Sequence, residues 1–273
     1  MEKKSPEPPE EASQSRDSSR DNQTWITAQN ILREKLITED CFAWKLQAGS
    51  KEEEALRYVG GVDISFSKDD PSRACGTLVV LDFHTLQVLY QDFSLVTLQV
   101  PYVPGFLAFR EAPVLLQLLE KMKRSNNPFY PQVLGWPVIL ELRPISQQLG
   151  LERMLVLIVS LTDLSAHLYK LQLHHVDGLT HSRVRELLGA EENCSEDFIN
   201  LVGCSGHIWG VAMRSTQGSI KPIFISIGHK ISLQTAIMIV QMTCKYRVPE
   251  PIRQADIRSR DYIRKLEANA KVK

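Results

Sequence analysis

Tyr58-Val-Gly-Gly-Val-Asp-Ile-Ser-Phe66 is the stretch that decides the fold. Val62, Ile64 and Phe66 alternate with Asp63 and Ser65, the period-two pattern of a strand, so Asp63 faces opposite the aliphatic side. Beyond it, Ser67-Lys-Asp-Asp-Pro-Ser72 is turn chemistry. Ala74–Leu81 then reads as a second strand, Asp82–Thr85 as a turn and Leu86–Phe93 as a third strand. Connections this short imply an antiparallel meander. Pro101-Tyr-Val-Pro-Gly105 is too rich in proline for regular structure, and Phe106–Arg124 reads as a helix that places Glu111 one turn beyond Leu107.

Upstream of the meander, Trp25, Ala28, Ile31, Leu32 and Leu36 recur at helical spacing. Residues 1–22 hold no large apolar residue beyond Met1, cannot offset the entropy of ordering, and are expected to be disordered. Downstream, Val138–Leu142 and Met154–Ser160 are candidate strands, Ser182–Leu188 a helix, and Leu201–Val202, Ile208–Arg214 and Pro222–Ile227 further strands. Ser232–Thr243 reads as an apolar helix and Pro251–Lys265 as a basic one, followed by a short tail over 266–273. A meander that gives way to mixed strands and helices points to α/β or α+β, and no internal repeat is present.

Composition narrows the function classes. Thirty-two Lys and Arg balance 32 Asp and Glu in 273 residues, which excludes a chain working simply as a polycation, and 43% hydrophobic content is enough for a sizeable core. The balance conceals local structure: Cys244–Lys273 has nine basic against four acidic residues, which suits phosphate contact, and a solvated helix face nearly as well. The longest apolar stretch is far too short to span a bilayer, and the N-terminus has no apolar secretory core, so an intracellular protein without a membrane partner is expected. The five cysteines are widely spaced, with no Cys-x-x-Cys pair, and are expected to be free thiols.

Acidic residues in apolar surroundings carry the chemistry. Asp63, Glu111 (in Phe106-Leu-Ala-Phe-Arg-Glu111) and Asp256 (in Arg253-Gln-Ala-Asp-Ile257) would suit a hard cation such as Mg²⁺ if they converged, or would each be salt-bridged at an element edge if they did not. His229 follows a strand and precedes a helix, a place for a phosphate-touching side chain or for a plain capping histidine. His174-His175 reads as a solvated loop. Tyr102, between two prolines, could stack on a base or be an ordinary tyrosine.

Taken in order, Val59-Gly-Gly-Val-Asp-Ile-Ser-Phe66, Pro101-Tyr-Val-Pro-Gly-Phe-Leu-Ala-Phe-Arg-Glu111, Ile225-Ser-Ile-Gly-His-Lys230 and Pro249-Glu-Pro-Ile-Arg-Gln-Ala-Asp256 resemble the endonuclease V family, its vertebrate branch above all. The resemblance covers about residues 24–134 and 176–265 and implies one domain over 23–265. It implies a ribonuclease H-like α/β fold, a mixed sheet with an initial antiparallel meander and flanking helices. It also implies an Mg²⁺-dependent nuclease cutting inosine-containing single-stranded RNA or DNA at the second phosphodiester bond 3′ of inosine, in nucleic-acid repair or inosine-RNA processing. Asp63, Glu111 and Asp256 match its metal carboxylates, His229 its histidine near the scissile phosphate, and Pro101, Tyr102, Val103 and Pro104 its strand-separating wedge. Such a protein would act as a monomer in the cytoplasm and the nucleus or nucleolus.

One segment departs from the pattern. The family follows Pro-Gln-Val-Leu with a strand ending in Asp-Gly-x-Gly, whereas here Pro131-Gln-Val-Leu134 runs into Gly135-Trp-Pro-Val-Ile-Leu-Glu-Leu-Arg-Pro144. Family-like sequence resumes at Val176, and the lysine pair expected near 171–172 is Leu171-Gln172. Either Glu141 or Lys170 substitutes for what is missing, or the segment over 135–175 comes from a different reading of the central exon, leaving a chain that binds without cutting.

Overall fold

Asp63 lies within a strand because both faces of that strand find cover. The computed structural model describes residues 23–28, 31, 37–46, 55–98, 107–136, 155–160, 186, 188, 198–202, 208–216 and 221–271. The elements are β1 (Tyr58–Phe66), β2 (Arg73–Asp82), β3 (Val88–Thr97), α1 (Leu107–Arg124), β4 (Val133–Trp136), β5 (Leu155–Ser160), β6 (Phe198–Val202), β7 (Ile208–Met213), β8 (Ile223–His229), α2 (Leu233–Thr243) and α3 (Glu250–Lys271). The eight strands form one sheet in the order β3-β2-β1-β4-β5-β8-β7-β6. β1, β2 and β3 are the expected antiparallel meander, β1, β4 and β5 run parallel, and β8, β7 and β6 continue antiparallel.

On one face of the sheet Val62, Leu78 and Val80 pack with Ala112, Leu115 and Leu119 of α1. On the other, Val59, Val79 and Leu81 pack with Ile252 and Ala255 of α3. Beyond its first two residues the buried positions of α3, Ile252, Ala255, Ser259 and Ile263, fall at helical spacing, so one stripe of this basic helix lies on the sheet. Burying the Ile252 side chain alone contributes about 1.5–3 kcal/mol. Glu250, held by Arg253 at 2.6 Å, opens α3, and Pro251 fills the first turn, where its missing N–H costs nothing. For α2, the Ser232 hydroxyl caps the N-terminus by accepting from the Thr235 N–H at 3.2 Å.

α3 approaches β1 so closely that only glycine fits beneath it. A Cβ on Gly61 would lie 2.1 Å from the Pro251 carbonyl oxygen, a backbone atom that cannot swing aside. Gly61→Ala is therefore expected to destabilise the fold by about 3 kcal/mol or more. That corresponds to a melting temperature lower by about 6–12 °C in a domain of this size, readable by circular dichroism. An unchanged melting temperature would mean that α3 sits farther from β1.

The structure moves several boundaries. β3 starts at Val88 and runs to Thr97, later than the expected Leu86–Phe93, because Leu86 occupies the turn with φ 56°. The Asp82 carboxylate builds that turn, accepting from the backbone N–H groups of His84 and Thr85. β4 forms over Val133–Trp136, with Val133 and Leu134 buried. Its entry is tied by the Gln132 side-chain oxygen, which accepts from the N–H groups of Arg57 and Tyr58. Residues 138–142 lie outside the described residues, as do 1–22. The last helix continues to Lys271, so 266–271 are helix rather than tail. In the Trp25 segment, 23–28 and 31 are helical. Cys41, Cys75 and Cys244 are free thiols, and Cys194 and Cys204 fall outside the described residues. Among the described residues no helix is long and apolar enough to cross a membrane.

Candidate active site

Three carboxylates from three elements act on one another at the C-terminal end of β1. Asp63 points to the α3 side of the sheet, where its Oδ2 accepts a hydrogen bond from the Ser259 hydroxyl at 3.1 Å. Burial raises the Asp63 pKa to about 6, and the nearby negative charge of Asp256 pushes the same way. Glu111 enters from α1, on the other side of the sheet, and is 9% exposed. Burial and the charge of Asp63 push its pKa up to about 8, against a smaller opposing pull from Arg110. Arg110 stacks over the Phe66 ring, 5.0 Å from its centre, with its Nε buried and without a hydrogen-bond partner among the described residues. Asp256 is half-buried, and both of its oxygens are taken by Arg260 one turn along α3, with Nε to Oδ1 at 2.7 Å and Nη2 to Oδ2.

Raised carboxylate pKa values mark a site short of positive charge. Two acids that resist ionising together have the donor chemistry a divalent cation requires, hard oxygen with net negative charge. As placed, however, no three His, Cys, Asp or Glu side chains among the described residues are gathered tightly enough to hold one ion. The Asp256 carboxylate is held by Arg260 along its own helix.

His229 does not join them. It ends β8 opposite Val156, Val156 pairs with Leu134, and Leu134 pairs with Gly60. Asp63 is thus three strands across and three residues farther on, roughly 17 Å away at ordinary strand spacing and rise. His229 is 2% exposed, and burial, with the charge of Lys230, lowers its pKa. In the neutral form its Nδ1 accepts from the Ile37 N–H at 3.4 Å, tying the segment before β1 to the end of β8. The histidine expected beside the scissile phosphate is buried at the end of β8, where pairing with β5 sets its level in the sheet. Pro101, Tyr102, Val103 and Pro104, with Gly105, lie outside the described residues, as do Glu141, Lys170 and His174-His175.

Sequence reading passed over Ser259 and Arg260. Both were legible in part: Arg260 stands four residues after Asp256, the spacing of a helical ion pair, and Ser259 three after it.

The family model described as Endonuclease V matches residues 40–134 and 171–257. The chain belongs to the endonuclease V family. The match breaks over 135–170, the stretch that departs from the family sequence. Mouse endonuclease V is 39% identical over 88% of this chain and 69% of its own length. The crystal structure of human ENDOV superposes with a TM-score of 0.74 at 36% identity, over 90% of this chain and 99% of that one. Endonuclease V of Ciona intestinalis, solved with a 23mer DNA containing an inosine followed by a ribo-adenosine, matches with a TM-score of 0.72 at 27% identity, over 90% and 98% of the two chains. Endonuclease V proteins are nucleases, phosphodiester hydrolases dependent on metal, and the fold of this chain is ribonuclease H-like.

The metal can be placed against that background. By the chemistry of their oxygens Asp63 and Glu111 could hold such a metal, and Asp256 with them if its carboxylate left Arg260. A further carboxylate has no counterpart. The parallel ladder pairs Gly61 with Gly135, and counting on two residues reaches Asp63 on one side and Pro137 on the other. Residue 137 lies outside the described residues, and no aspartate occurs between Gly135 and Asp163.

Proposed function

We propose that this chain is an inosine-directed, Mg²⁺-dependent endonuclease acting on RNA or DNA at the second phosphodiester bond 3′ of inosine. The pair Asp63, partly buried, and Glu111, buried, each with a raised pKa, is the observation that supports it most directly. When bound, Mg²⁺ supplies charge to offset the phosphate and makes an attacking water more acidic. Asp63 and Glu111 hold the ion, and the surrounding burial keeps bulk water from weakening that contact. The Pro101–Pro104 wedge separates the strand beside the inosine, a step that costs less in single-stranded substrate than in a duplex. The basic residues of α3 track the phosphates on either side. Such a nuclease would serve nucleic-acid repair or inosine-RNA processing in the nucleus or cytoplasm.

A second reading has its own observation. With Arg260 on Asp256 and proline at position 137, the chain would bind inosine-containing nucleic acid and cut it poorly or not at all. The two separate in one experiment. The full chain is incubated with single-stranded RNA and DNA oligonucleotides bearing one inosine, with Mg²⁺ or with chelator, and the product ends are mapped while binding is followed by fluorescence anisotropy. Mg²⁺-dependent cleavage two bonds 3′ of inosine, lost in Asp63→Ala with binding kept, is the expected result. Binding without cleavage in the parent chain establishes the second reading, and absence of both overturns the two together.

A further inference from the structure

Ser259 is wholly buried between α3 and β1, and so is most of Ser65, 9% exposed and two residues along the strand from Asp63 on the same face. The Ser259 Oγ lies 2.6 Å from the Ser65 Oγ, 3.1 Å from the Asp63 Oδ2 and 3.0 Å from the Asp256 carbonyl oxygen. It has a single proton for these three oxygens. The charged acceptor makes the stronger bond, so the Ser259 proton goes to Asp63 and the Ser65 hydroxyl donates into Ser259. That arrangement satisfies each buried group, and no purely apolar packing explains a pair of hydroxyls in this seam. Alanine at both positions would cost little if packing were all they did, since removing both members of a buried hydrogen bond is close to neutral.

We propose that Ser259 is a positioning residue for the nuclease site: a Ser65–Ser259–Asp63 relay, carried by α3, fixes the Asp63 carboxylate with Oδ2 turned to the helix and the rest of its acceptor capacity left for the cation. The proposal rests on reading Asp63 as a metal carboxylate. It gives α3 a task beyond supplying Asp256, because a helix 196 residues away in sequence sets the orientation of the strand's acid. Partners of this kind, one shell out from the ion, alter metal affinity by about 10- to 100-fold when removed.

The test measures Mn²⁺ binding by electron paramagnetic resonance on the full chain, on Ser259→Ala and on Ser65→Ala, with melting in chelator alongside. Ser259→Ala is expected to bind Mn²⁺ about tenfold more weakly, with the helical signal of the parent and a melting temperature a few degrees lower, because Ser65 and Asp63 lose a buried partner. Ser65→Ala should show a smaller weakening in the same direction. Parent affinity in Ser259→Ala overturns the proposal. Should Ser259→Ala fail to fold, Ser65→Ala decides, and parent affinity there overturns it equally. A crystal structure of Ser259→Ala gives a readout without metal: the Asp63 carboxylate is expected in a new or split rotamer, and an unchanged rotamer counts against the relay. If the parent chain binds no Mn²⁺, the metal reading of the site falls, and the Asp63 rotamer alone judges the positioning role.

Discussion

In chelator at pH 8, Glu111→Gln is expected to melt at least about 5 °C higher than the parent chain, although it removes a proposed metal ligand. The acid of Glu111, ordinarily near 4.5, titrates at about 8 in the fold, because burial and Asp63 both oppose its charge. A raised carboxylate pKa means the folded chain holds more protons than the unfolded one between those two values. Stability is then greatest below pH 4.5 and falls as pH climbs toward 8. At about 1.4 kcal/mol per pKa unit, the full cost at pH 8 and above is on the order of a few kcal/mol. Gln has the shape of protonated Glu and carries no charge at any pH, so the gain should shrink toward zero at pH 5, where Glu111 is already protonated. Asp63, with a pKa raised to about 6, adds a smaller loss over a lower window, from its ordinary 3.8 upward. Millimolar Mg²⁺ should raise the melting temperature of the parent at pH 8 and do far less for the variant, since a ligand stabilises only the state it binds. Scanning calorimetry at the two pH values with and without the ion reads all four conditions. A variant that melts lower than the parent at pH 8 would mean that Glu111 finds a compensating partner in the apo fold.

Pro137→Asp is expected to raise Mg²⁺-dependent cleavage of inosine-containing RNA by about two orders of magnitude, a single charge-stabilising group in such a site being worth about 3 kcal/mol. The ladder Val59–Val133, Gly60–Leu134, Gly61–Gly135 brings β1 and β4 side by side in parallel; Pro137 is two residues beyond Gly135 in sequence, as Asp63 is beyond Gly61, and lies outside the described residues. Proline there contributes neither a carboxylate nor an N–H to a neighbouring strand. Mn²⁺ affinity should rise together with the rate, which separates a repaired ion site from a change in substrate binding. Unchanged affinity in a folded variant would show that the whole stretch over 135–170, rather than one residue, separates this chain from its relatives.

Local pattern made a good part of the site readable. Alternation around Asp63, the helix that carries Glu111 and the late basic helix with Asp256 all follow from spacing of two or 3.6 residues, and each element is present. Their convergence was not readable from spacing, because it depends on α1 covering one face of the sheet, α3 the other, and both reaching the same end of β1. His229 shows the opposite failure. Its neighbours in sequence put it at a strand end, as found, yet strand ends in a mixed sheet lie at both edges, and only the pairing with β5 says which. β4 is harder to read in sequence, because its four residues run straight into Gly135 and Pro137 and only the burial of Val133 and Leu134 marks it as a core strand. Ser259 and Arg260 escaped notice among the basic residues of α3, where a solvated face and a buried stripe share the same few turns.

The placement of α3 also bears on the order in which the protein is made. Strands β1 and β2 emerge early, and Val59, Val79 and Leu81 await the Ile252 and Ala255 that cover them. Until synthesis reaches that helix, the part of the sheet that Ile252 and Ala255 cover stays bare and Asp63 lacks its hydroxyl partner. A chain interrupted before residue 250 would therefore be inert as a nuclease and adhesive as a nascent polypeptide, prone to be held by chaperones or cleared. Completion of the polypeptide and assembly of its chemistry are one event.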